Sequence, residues 1–338
     1  MLYSNEHCER IIVAIAAPQK GNMQEYLIEL PGAEAFLREH FGADVQHIQE
    51  LGRGEWSVAF AYRFAGHEYV ARFGLFEEDF MKDRIAATYT SERVPIPQIG
   101  EIGPYKNGFF ALSERAYGNF LEKLDEDAMR AVLPNLLATL DVIKEIELSD
   151  TRGFGLWDAK GVAPHASWQE ALLEVVNDRP EKRTHGWRKS LEEVPGNLAV
   201  FEQAAALFAT KVPLCPNERH LIHNDLLNRN VLVDTHRVTA LLDWGDSRYG
   251  DYLYDIAHVL YWWPWFTQWR TIDILGEIEQ HYQTKQLDLQ DFHARLQCYQ
   301  MHIGLDSMAY QCYTKRWNNF EWSAKGTHGN KGYRRERM

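Results

Sequence analysis

The sequence predicts an α+β protein of two lobes, a small lobe with a five-stranded antiparallel sheet followed by a larger, mainly helical lobe. Three observations lead to this prediction. Short segments with strand-like spacing, joined by tight turns, dominate residues 32–118, whereas helical spacing dominates residues 119–325. A chain of 338 residues is also long enough to bury a sizeable core.

The first lobe is predicted to begin with a helix over residues 32–41, because Phe36, Leu37 and Phe41 lie on one side at helical spacing. Ala65-Gly66 predicts a tight turn between the second and third strands. The five predicted strands are Val45–Leu51, Trp56–Phe64, His67–Phe73, 98–103 and 108–115, with a helix over 77–91 inserted between the third and the fourth.

The second lobe is predicted to be helical apart from one short hairpin. Helical patterns cover residues 125–148, 167–178, 198–210, 251–266, 269–284, 288–313 and 317–325, and the hairpin pairs 231–234 with 238–242. Outside the lobes, residues 1–31 are expected to form a leader of unknown role. Residues 326–338 mix Gly, Lys and Arg without an apolar period and are expected to form a mobile tail.

The composition limits the kinds of molecule that the protein is expected to bind. The net charge of −12 argues against a general nucleic-acid binder and suits a small cationic ligand. The four cysteines form no C-x-x-C pair, so free thiols in a reducing cytoplasm are expected rather than a zinc site or disulfides. The apolar run Ile11–Pro18 is too short to span a membrane. We therefore expect a cytoplasmic protein without a membrane partner. The sequence does not reveal the oligomeric state, and a monomer is the expectation.

The segment from His223 to Asn230, His-Asn-Asp-Leu-Leu-Asn-Arg-Asn, carries the strongest functional signal, because the predicted hairpin and Asp243 follow it. Phosphoryl transfer needs one carboxylate at the acceptor hydroxyl and oxygen ligands for magnesium. The spacing predicts Asp225 as the catalytic base and Asn230 and Asp243 as metal ligands, while His223 supports the loop by hydrogen bonding. A turn-capping carboxylate, a turn amide and a strand-end carboxylate are the structural alternatives at these three positions.

The first lobe offers candidate nucleotide contacts. Residues 51–57 contain two glycines between strands, so their backbone N–H groups and the Ser57 hydroxyl are expected to contact phosphates, although a plain hairpin has the same pattern. Arg72 lies in the next strand and is expected to bind phosphate oxygens, with an exposed strand arginine as the alternative. Its acidic partner is expected on the helix 77–91, at Asp83 rather than Asp79.

Two further regions are assigned expected ligand contacts from their positions in the sequence. The backbone of Glu114 and Ala116, where the first lobe ends, is expected to hydrogen-bond an adenine, and an interdomain linker is the alternative. Near the metal aspartate, Asp246, Asn228 and Trp244 are expected to contact the substrate. Asp251 is instead expected to cap the following helix, and the aromatic run at 261–266 is more typical of core packing than of sugar stacking.

These motifs resemble the aminoglycoside phosphotransferase family, from about Gly32 to about Gly326. The matching pieces include Val94-Pro95-Ile96-Pro97, Arg152-Gly153-Phe154-Gly155, Leu242-Asp243-Trp244, Trp262-Trp263-Pro264-Trp265 and Ile303-Gly304-Leu305-Asp306, and the last two are similar to the hygromycin-type branch. The resemblance implies a protein-kinase-like fold, ATP with Mg²⁺, and transfer of the γ-phosphate to a hydroxyl of an aminoglycoside or aminocyclitol similar to hygromycin B.

The sequence also departs from the family pattern. Arg72 replaces the usual lysine, as in the hygromycin-type branch, whereas many relatives have glycine at Asn224 and a small residue at Asn228. Because the catalytic motifs handle phosphate and metal, a kinase of the same fold acting on a sugar, an amino alcohol or another antibiotic is an alternative. A nucleotide-binding pseudokinase is a remote alternative, invited by Arg72 and disfavoured by the intact catalytic and metal residues.

Overall fold

A computed structural model describes residues 28–286 and 291–327 of the chain. Most of the predicted leader, most of the predicted tail and a short piece at the start of the predicted helix 288–313 lie outside these residues. At the edges, the first helix begins at Leu30 and the last one ends at Thr327. Within the described ranges, no helix combines the length and the apolar character needed to cross a membrane.

The N-terminal lobe is a five-stranded antiparallel sheet with one helix before it and one inserted in it. Helix α1 (Leu30–Phe41) is followed by β1 (Gln46–Arg53), β2 (Ser57–Phe64), β3 (His67–Gly74), α2 (Glu77–Ala87), β4 (Ile99–Tyr105) and β5 (Gly108–Glu114). The strand order is β1-β2-β3-β5-β4, and every neighbouring pair is antiparallel. The predicted sheet is therefore confirmed.

Local chemistry explains the β2–β3 hairpin and the packing of α1. Ala65 and Gly66 both have positive φ, 50° and 86°, which matches the twist of a two-residue hairpin loop. On α1, Phe36 faces the sheet, with its ring 5.2 Å from that of Phe73 and 4.7 Å from that of Phe110. These contacts form a separate small core for the lobe.

The C-terminal lobe contains helices and two small sheets. Its helices are α3 (Glu126–Lys144), α4 (Trp168–Leu173), α5 (Trp187–Leu191), α6 (Asn197–Lys211), α7 (Leu253–Trp262), α8 (Ile274–Thr284), α9 (Phe292–Tyr313) and α10 (Trp317–Thr327). Its strands are β6 (Asn119–Phe120), β7 (Gly155–Leu156), β8 (His220–Ile222), β9 (Val231–Asp234), β10 (Arg237–Leu241) and β11 (Arg248–Gly250). They form the sheets β10-β9-β6 and β7-β11-β8, so the predicted hairpin is present as β9 and β10, with β6 as one additional partner.

Several helices are shorter than the apolar pattern predicts, and each difference has a local cause. Helix α2 ends at Ala87, where the Ile85 carbonyl accepts both the N–H of Thr88 at 3.0 Å and its hydroxyl at 2.7 Å, instead of the N–H four residues on. Helix α8 begins at Ile274 because Asp273 caps it, accepting from the Gly276 N–H at 3.3 Å. The five-residue helix α5 was not predicted, since one turn is too short to show a period.

The core of the C-terminal lobe is built around α9, which packs against α6, α7 and α10. In the aromatic run after α7, Trp262 stacks on Trp322 of α10 with ring centroids 5.3 Å apart. Trp263 is buried against Trp269 at 4.8 Å. These contacts are the core packing that the sequence favours for this run. Three of the four cysteines, Cys215, Cys298 and Cys312, are described, and all are free and buried.

Candidate active site

The loop between β8 and β9 holds the predicted catalytic aspartate by side-chain amides. Asn228 and Asn230 both donate to Asp225 Oδ2, at 3.0 and 2.8 Å, and the same Asn230 nitrogen also donates to the Asp225 carbonyl at 2.8 Å. In the described part of the chain, neither Asp225 Oδ1 nor Asn230 Oδ1 receives a hydrogen bond. The loop thus leaves Oδ1 of Asp225 to accept a hydrogen bond from a substrate hydroxyl. It also leaves Oδ1 of Asn230 to bind a metal ion.

Backbone strain accompanies this arrangement. Asn224 and Arg229 both have positive φ, 67° and 62°, and so does Asp243 at 58°. Residues other than glycine rarely adopt this conformation, which asparagine and aspartate tolerate best. Strained backbone of this kind clusters at functional sites, where the surrounding structure enforces it.

His223 supports the loop from the buried side. Its Nε2 donates to the Leu242 carbonyl at 2.9 Å, while its Nδ1 accepts from the Asp225 N–H at 3.3 Å. This pair of bonds requires a neutral imidazole with the proton on Nε2. Burial lowers the pKa of His223 to about 4, which keeps the ring neutral. These contacts are those of a positioning residue rather than of a proton carrier.

Asp255 of α7 fixes the start of the same loop. Its buried carboxylate accepts the backbone N–H groups of His223 at 2.9 Å and of Asn224 at 2.8 Å. Burial raises the pKa of Asp255 to about 6, although the two N–H donors oppose that shift. Asp255 lies in the first turn of α7, but its partners lie 31 and 32 residues away along the chain, so no local pattern indicates this contact.

Arg72 and Asp83 join the first lobe to Asp243, the predicted metal ligand. The Arg72 guanidinium, on β3, bonds Asp83 of α2 through Nη1 and lies 3.4 Å from Asp243 Oδ2 through Nη2. Asp83 also accepts the Trp244 N–H at 2.7 Å. Burial lowers the pKa of Arg72, but the carboxylates of Asp83 and Asp243 outweigh it and raise the pKa above its ordinary value. The second choice of partner, Asp79, is paired with Arg183 instead, at 2.7 Å.

Asn230 and Asp243 supply the donor types of a magnesium site. Residues 230 and 242 are hydrogen-bonded through their backbones at 2.8 Å, which sets the two loops side by side, and the Asp243 side chain is 43% exposed. Among the described residues there is no group of three or more His, Cys, Asp or Glu that would enclose a metal ion. Magnesium in phosphate chemistry needs one or two carboxylates, with phosphates and waters completing its shell. The residues present therefore fit the ion.

The acceptor side carries negative charge. Asp246 is exposed, and its carboxylate adds to burial in raising the pKa of Asp225 well above the usual value, so the two groups lie within electrostatic reach. Although the residue as a whole is exposed, the neighbouring protein atoms displace water from the Asp246 carboxylate and raise its pKa, against the opposing effects of Arg183 and Lys82. Asn228 is also exposed, and its hydrogen bond to Asp225 places it beside the same carboxylate.

The expectation that Trp244 contacts the substrate is wrong for its side chain. The indole is 1% exposed, donates from Nε1 to the Leu241 carbonyl at 3.3 Å, and lies with its ring centroid 4.5 Å from that of His223. The chain turns at Asp243, so the next residue points into the core between α2 and the catalytic loop. Burial of a large aromatic ring contributes more there than exposure would.

The glycine-containing loop is shorter than predicted. Strand β1 runs to Arg53 and β2 starts at Ser57, with Gly54 N–H bonded to the Ser57 carbonyl at 2.8 Å. Glu55, at the tip, reaches the other lobe, where its Oε2 accepts from the Tyr310 hydroxyl and from Arg316 Nη2, the latter at 3.2 Å. Ser57 is half-buried at the base of the loop.

At the junction of the lobes, the structure limits the expected adenine contacts. The Glu114 N–H donates to the Gln98 carbonyl at 3.2 Å and is not free for a base. Ala116 is half-buried, and its N–H has no backbone acceptor in the described ranges. The chain then enters β6, which pairs with β9 of the C-terminal lobe.

Sequence reasoning missed two cations beside these residues. Lys82 is 1% exposed and bonds the carbonyls of Gly245 and Ser247, and Arg183 covers the Phe76 ring at 4.2 Å while pairing with Asp79. Lys82 directly precedes Asp83, the predicted partner of Arg72. Adjacency to Asp83 was only a weak signal for Lys82, because the hydrophobic pattern of the helix does not predict that a lysine is buried.

Comparison with known proteins agrees with this geometry. The family model described as "Phosphotransferase enzyme family" matches residues 50–295. The hygromycin-B 4-O-kinase of Escherichia coli is 28% identical over 293 residues, which cover 86% of this chain and 82% of that protein. A thermostable mutant of aminoglycoside phosphotransferase APH(4)-Ia, solved in a ternary complex with AMP-PNP and hygromycin B, has a TM-score of 0.75 at 28% identity, covering 88% of this chain and 96% of that one.

More distant structures share the fold alone. Choline kinase LicA from Streptococcus pneumoniae gives a TM-score of 0.59 at 13% identity, covering 88% of this chain and 99% of that one. The gentamicin complex of APH(2")-IIa gives 0.58 at 14% identity, covering 90% and 97%. The prediction of a kinase-like fold, with a five-stranded lobe and a helical lobe, is confirmed.

Proposed function

The chain belongs to the phosphotransferase enzyme family, and we propose that it transfers the γ-phosphate of ATP to a hydroxyl of an aminoglycoside or aminocyclitol similar to hygromycin B. The single observation that carries the proposal is the group around Asp225. Two amides hold one carboxylate oxygen, the other oxygen has no donor among the described residues, and an exposed aspartate at 246 lies within electrostatic reach. This arrangement suits the removal of a proton from an acceptor that carries positive charge.

Asp225 would act on the acceptor hydroxyl through Oδ1. Asn228 and Asn230 hold Oδ2, so the carboxylate cannot rotate freely and its second oxygen keeps one direction. Burial first, and Asp246 second, raise the pKa of Asp225 above the value of an ordinary carboxyl. A base whose pKa is nearer to neutrality takes the hydroxyl proton more readily as the bond to phosphorus forms.

The phosphate side would be held by Asn230, Asp243 and Arg72. A bound magnesium ion supplies neutralisation of the phosphate charge, and the amide oxygen of Asn230 with the carboxylate of Asp243 would hold it. Arg72 keeps its charge because Asp83 and Asp243 flank it, and its planar guanidinium can bond phosphate oxygens in pairs. Ser57 and the backbone of the loop at 54–56 are the further candidates for phosphate contacts, and Ala116 for the base.

The acceptor class follows from charge and from the relatives. Asp246 presents an exposed carboxylate beside Asp225, and the whole chain has a net charge of −12, which favours a polycationic ligand. The relative from Escherichia coli is named for phosphorylating hygromycin B, and the APH(4)-Ia structure contains that antibiotic. We therefore place hygromycin-like aminocyclitols first, with Asp246 and Asn228 as substrate contacts.

A coupled assay of ADP release tests the proposal. The wild type would be given ATP and Mg²⁺ with hygromycin B, gentamicin, choline or glucose, alongside a mixture without acceptor. We expect acceptor-dependent ADP release with hygromycin B above the other compounds. ADP release with only choline or glucose would contradict the antibiotic as acceptor and favour a kinase that acts on another small molecule. No acceptor-dependent release with any compound would favour the pseudokinase alternative.

We also propose that the protein works as a cytoplasmic monomer. The buried free thiols of Cys215, Cys298 and Cys312 fit a reducing compartment. Light scattering coupled to size exclusion would be expected to give the mass of one chain, 39.3 kDa. A mass twice as large would contradict this part of the proposal.

A further inference from the structure

Lys82 is a buried lysine that makes no ion pair with a carboxylate in the described part of the chain. It lies on α2 with 1% of its surface exposed. Its ammonium donates to the Gly245 carbonyl and to the Ser247 carbonyl, the latter at 3.3 Å, and lies 4.7 Å from the centre of the Trp157 ring. Burial of an ammonium costs several kcal/mol unless hydrogen bonds replace its water. Such a residue is retained only where its contacts do something that an apolar side chain would not.

The segment held by Lys82 is the turn that contains the metal-binding aspartate. Residues 243–247 follow β10, which ends at Leu241, and include Asp246, the exposed acid beside the proposed catalytic base. The Asp246 carbonyl is taken by Asn224 Nδ2 at 3.1 Å, and Ser247 bonds back to the Trp244 carbonyl through its N–H at 3.0 Å. With Lys82 on the carbonyls before and after Asp246, three consecutive carbonyls of the turn have side-chain donors.

Two neighbouring residues of α2 thus hold both ends of the turn. Asp83 accepts the Trp244 N–H, while Lys82 donates to residues 245 and 247. Asp83 reaches the peptide that follows the metal ligand, and Lys82 reaches the peptides on either side of the acceptor-side acid. The position of α2 therefore sets the direction of the Asp243 and Asp246 carboxylates together.

We propose that Lys82 is a positioning residue, which orients the 243–247 turn so that Asp243 can hold Mg²⁺ while Asp246 faces the acceptor. This inference rests on the proposed function and adds a residue to it. The ammonium is suited to the task, because its charge strengthens the hydrogen bonds to both carbonyls and its three donors can diverge, whereas a glutamine amide is uncharged and an apolar side chain has no donor. Burial lowers the pKa of Lys82 to about 8, against the carboxylate of Asp246, so the charged form predominates at neutral pH.

The test compares Lys82→Met and Lys82→Gln with Arg84→Met as the matched control. Methionine keeps the length of the side chain without the ammonium, glutamine keeps a donor without the charge, and Arg84 is an exposed cation on the same helix. The first readout is ADP affinity by calorimetry, with and without Mg²⁺, which needs no acceptor and no turnover. Thermal unfolding without ligands is recorded for each protein to separate effects on stability.

We expect Lys82→Met to lose about 10-fold to 100-fold of the Mg²⁺-dependent gain in ADP affinity, as for other residues that orient a metal ligand. ADP affinity without Mg²⁺ should stay at the wild-type value, Lys82→Gln should fall between the two, and Arg84→Met should match the wild type. A normal Mg²⁺-dependent gain in Lys82→Met would overturn the proposal. Failure of both Lys82 variants to fold would do so too, because it would make the residue a requirement of folding.

Failure of the proposed function gives a different result. If the wild type binds ADP with a Mg²⁺-dependent gain but phosphorylates no acceptor, the acceptor assignment fails while the comparison of the Lys82 variants can still be read. Where the wild type is active, kcat of Lys82→Met should also fall for hygromycin B, whereas Arg84→Met should keep the wild-type kcat.

Discussion

Asp225 shows how much of the chemistry depends on single atoms. Both amides that touch its carboxylate bond the same oxygen, Oδ2, so the two oxygens are not equivalent. The side-chain nitrogen of Asn230 donates to Asp225, and its oxygen is a donor type that a hard cation prefers, so the proposed base and the proposed metal ligand are held together. At this scale each side chain does two things, and a substitution that keeps size alone will not preserve both.

Replacement of Asp225 by asparagine removes the base and keeps the shape. We expect kcat for the acceptor to fall by about 10²-fold to 10⁴-fold, the usual contribution of a general base. ADP affinity should change little, because Asp225 faces the acceptor. Steady-state kinetics and calorimetry on the same preparation check both parts, and wild-type kcat in Asp225→Asn would show that another group takes the proton.

Arg72→Lys tests whether the arginine serves both of its carboxylate neighbours. A lysine has one charged group and cannot bond Asp83 and also reach Asp243 through a second nitrogen. Loss of one charge-assisted hydrogen bond, worth about 1.5–3 kcal/mol, predicts a fall of about 10-fold or more in kcat/KM for ATP. The initial rate at varied ATP and fixed acceptor gives this number. Equal kcat/KM values for the two proteins would show that charge alone is needed.

At the level of elements, helices α2 and α7 hold the two loops of the candidate site. Asp83 and Lys82 of α2 hold the turn after β10, and Asp255 of α7 holds the loop after β8. In each case a side chain on a rigid helix satisfies backbone groups of an irregular loop, which replaces the hydrogen bonds that a strand or helix would provide. The loops are therefore fixed by distant elements as well as by their own side chains.

Asp255→Ala should destabilise the protein, because two buried N–H groups would lose their acceptor at a cost of about 1–3 kcal/mol each. The substitution also removes the cost of burying the carboxylate in the folded protein. We therefore expect the free energy of unfolding to fall by about 2 kcal/mol, near the lower end of the summed range. Urea unfolding at pH 7 measures it. Asp273→Ala is a matched control, since that carboxylate caps an exposed helix end, where the loss should be about 1 kcal/mol. An Asp255→Ala protein no less stable than the control would contradict this role.

At the scale of the whole molecule, the site exists only because the two lobes are held against each other. The Glu55 tip of the first lobe bonds Tyr310 of α9, and Arg72 approaches Asp243 across the same boundary. The C-terminal lobe in turn buries imidazoles that never meet water. Burial lowers the pKa of His223 to about 4, that of His258 to about 3, and that of His302 well below its usual value.

These histidines predict a loss of stability in acid. An unfolded histidine takes a proton below about pH 6.5, whereas the buried ring of His258 stays neutral until about pH 3, so proton uptake favours the unfolded chain between these values. His258→Gln should remove about 2 kcal/mol of the fall in unfolding free energy between pH 7 and pH 5. Urea unfolding at both pH values for the two proteins gives the difference. An equal fall in both would mean that His258 is not buried as a neutral ring.

The sequence could predict the elements and the chemistry of the loops, but not the contacts that hold them. Hairpin spacing and turn residues predicted the five-stranded sheet, which the structure confirms, and residue types at fixed spacing predicted roles for Asp225, Asn230 and Asp243, because these signals are local. Lys82 bonds carbonyls 163 and 165 residues away, so no local pattern reports it. The prediction that Trp244 contacts the substrate was wrong for the same reason, because proximity to Asp243 along the chain does not determine on which side of the turn the indole lies.

Identification of the product tests the central claim most directly. Hygromycin B would be incubated with ATP, Mg²⁺ and the wild-type protein, and the antibiotic recovered for mass spectrometry and ³¹P NMR. The account predicts one added phosphate, present as a monoester on a hydroxyl. Consumption of ATP with unmodified hygromycin B, or phosphate carried on nitrogen, would contradict it.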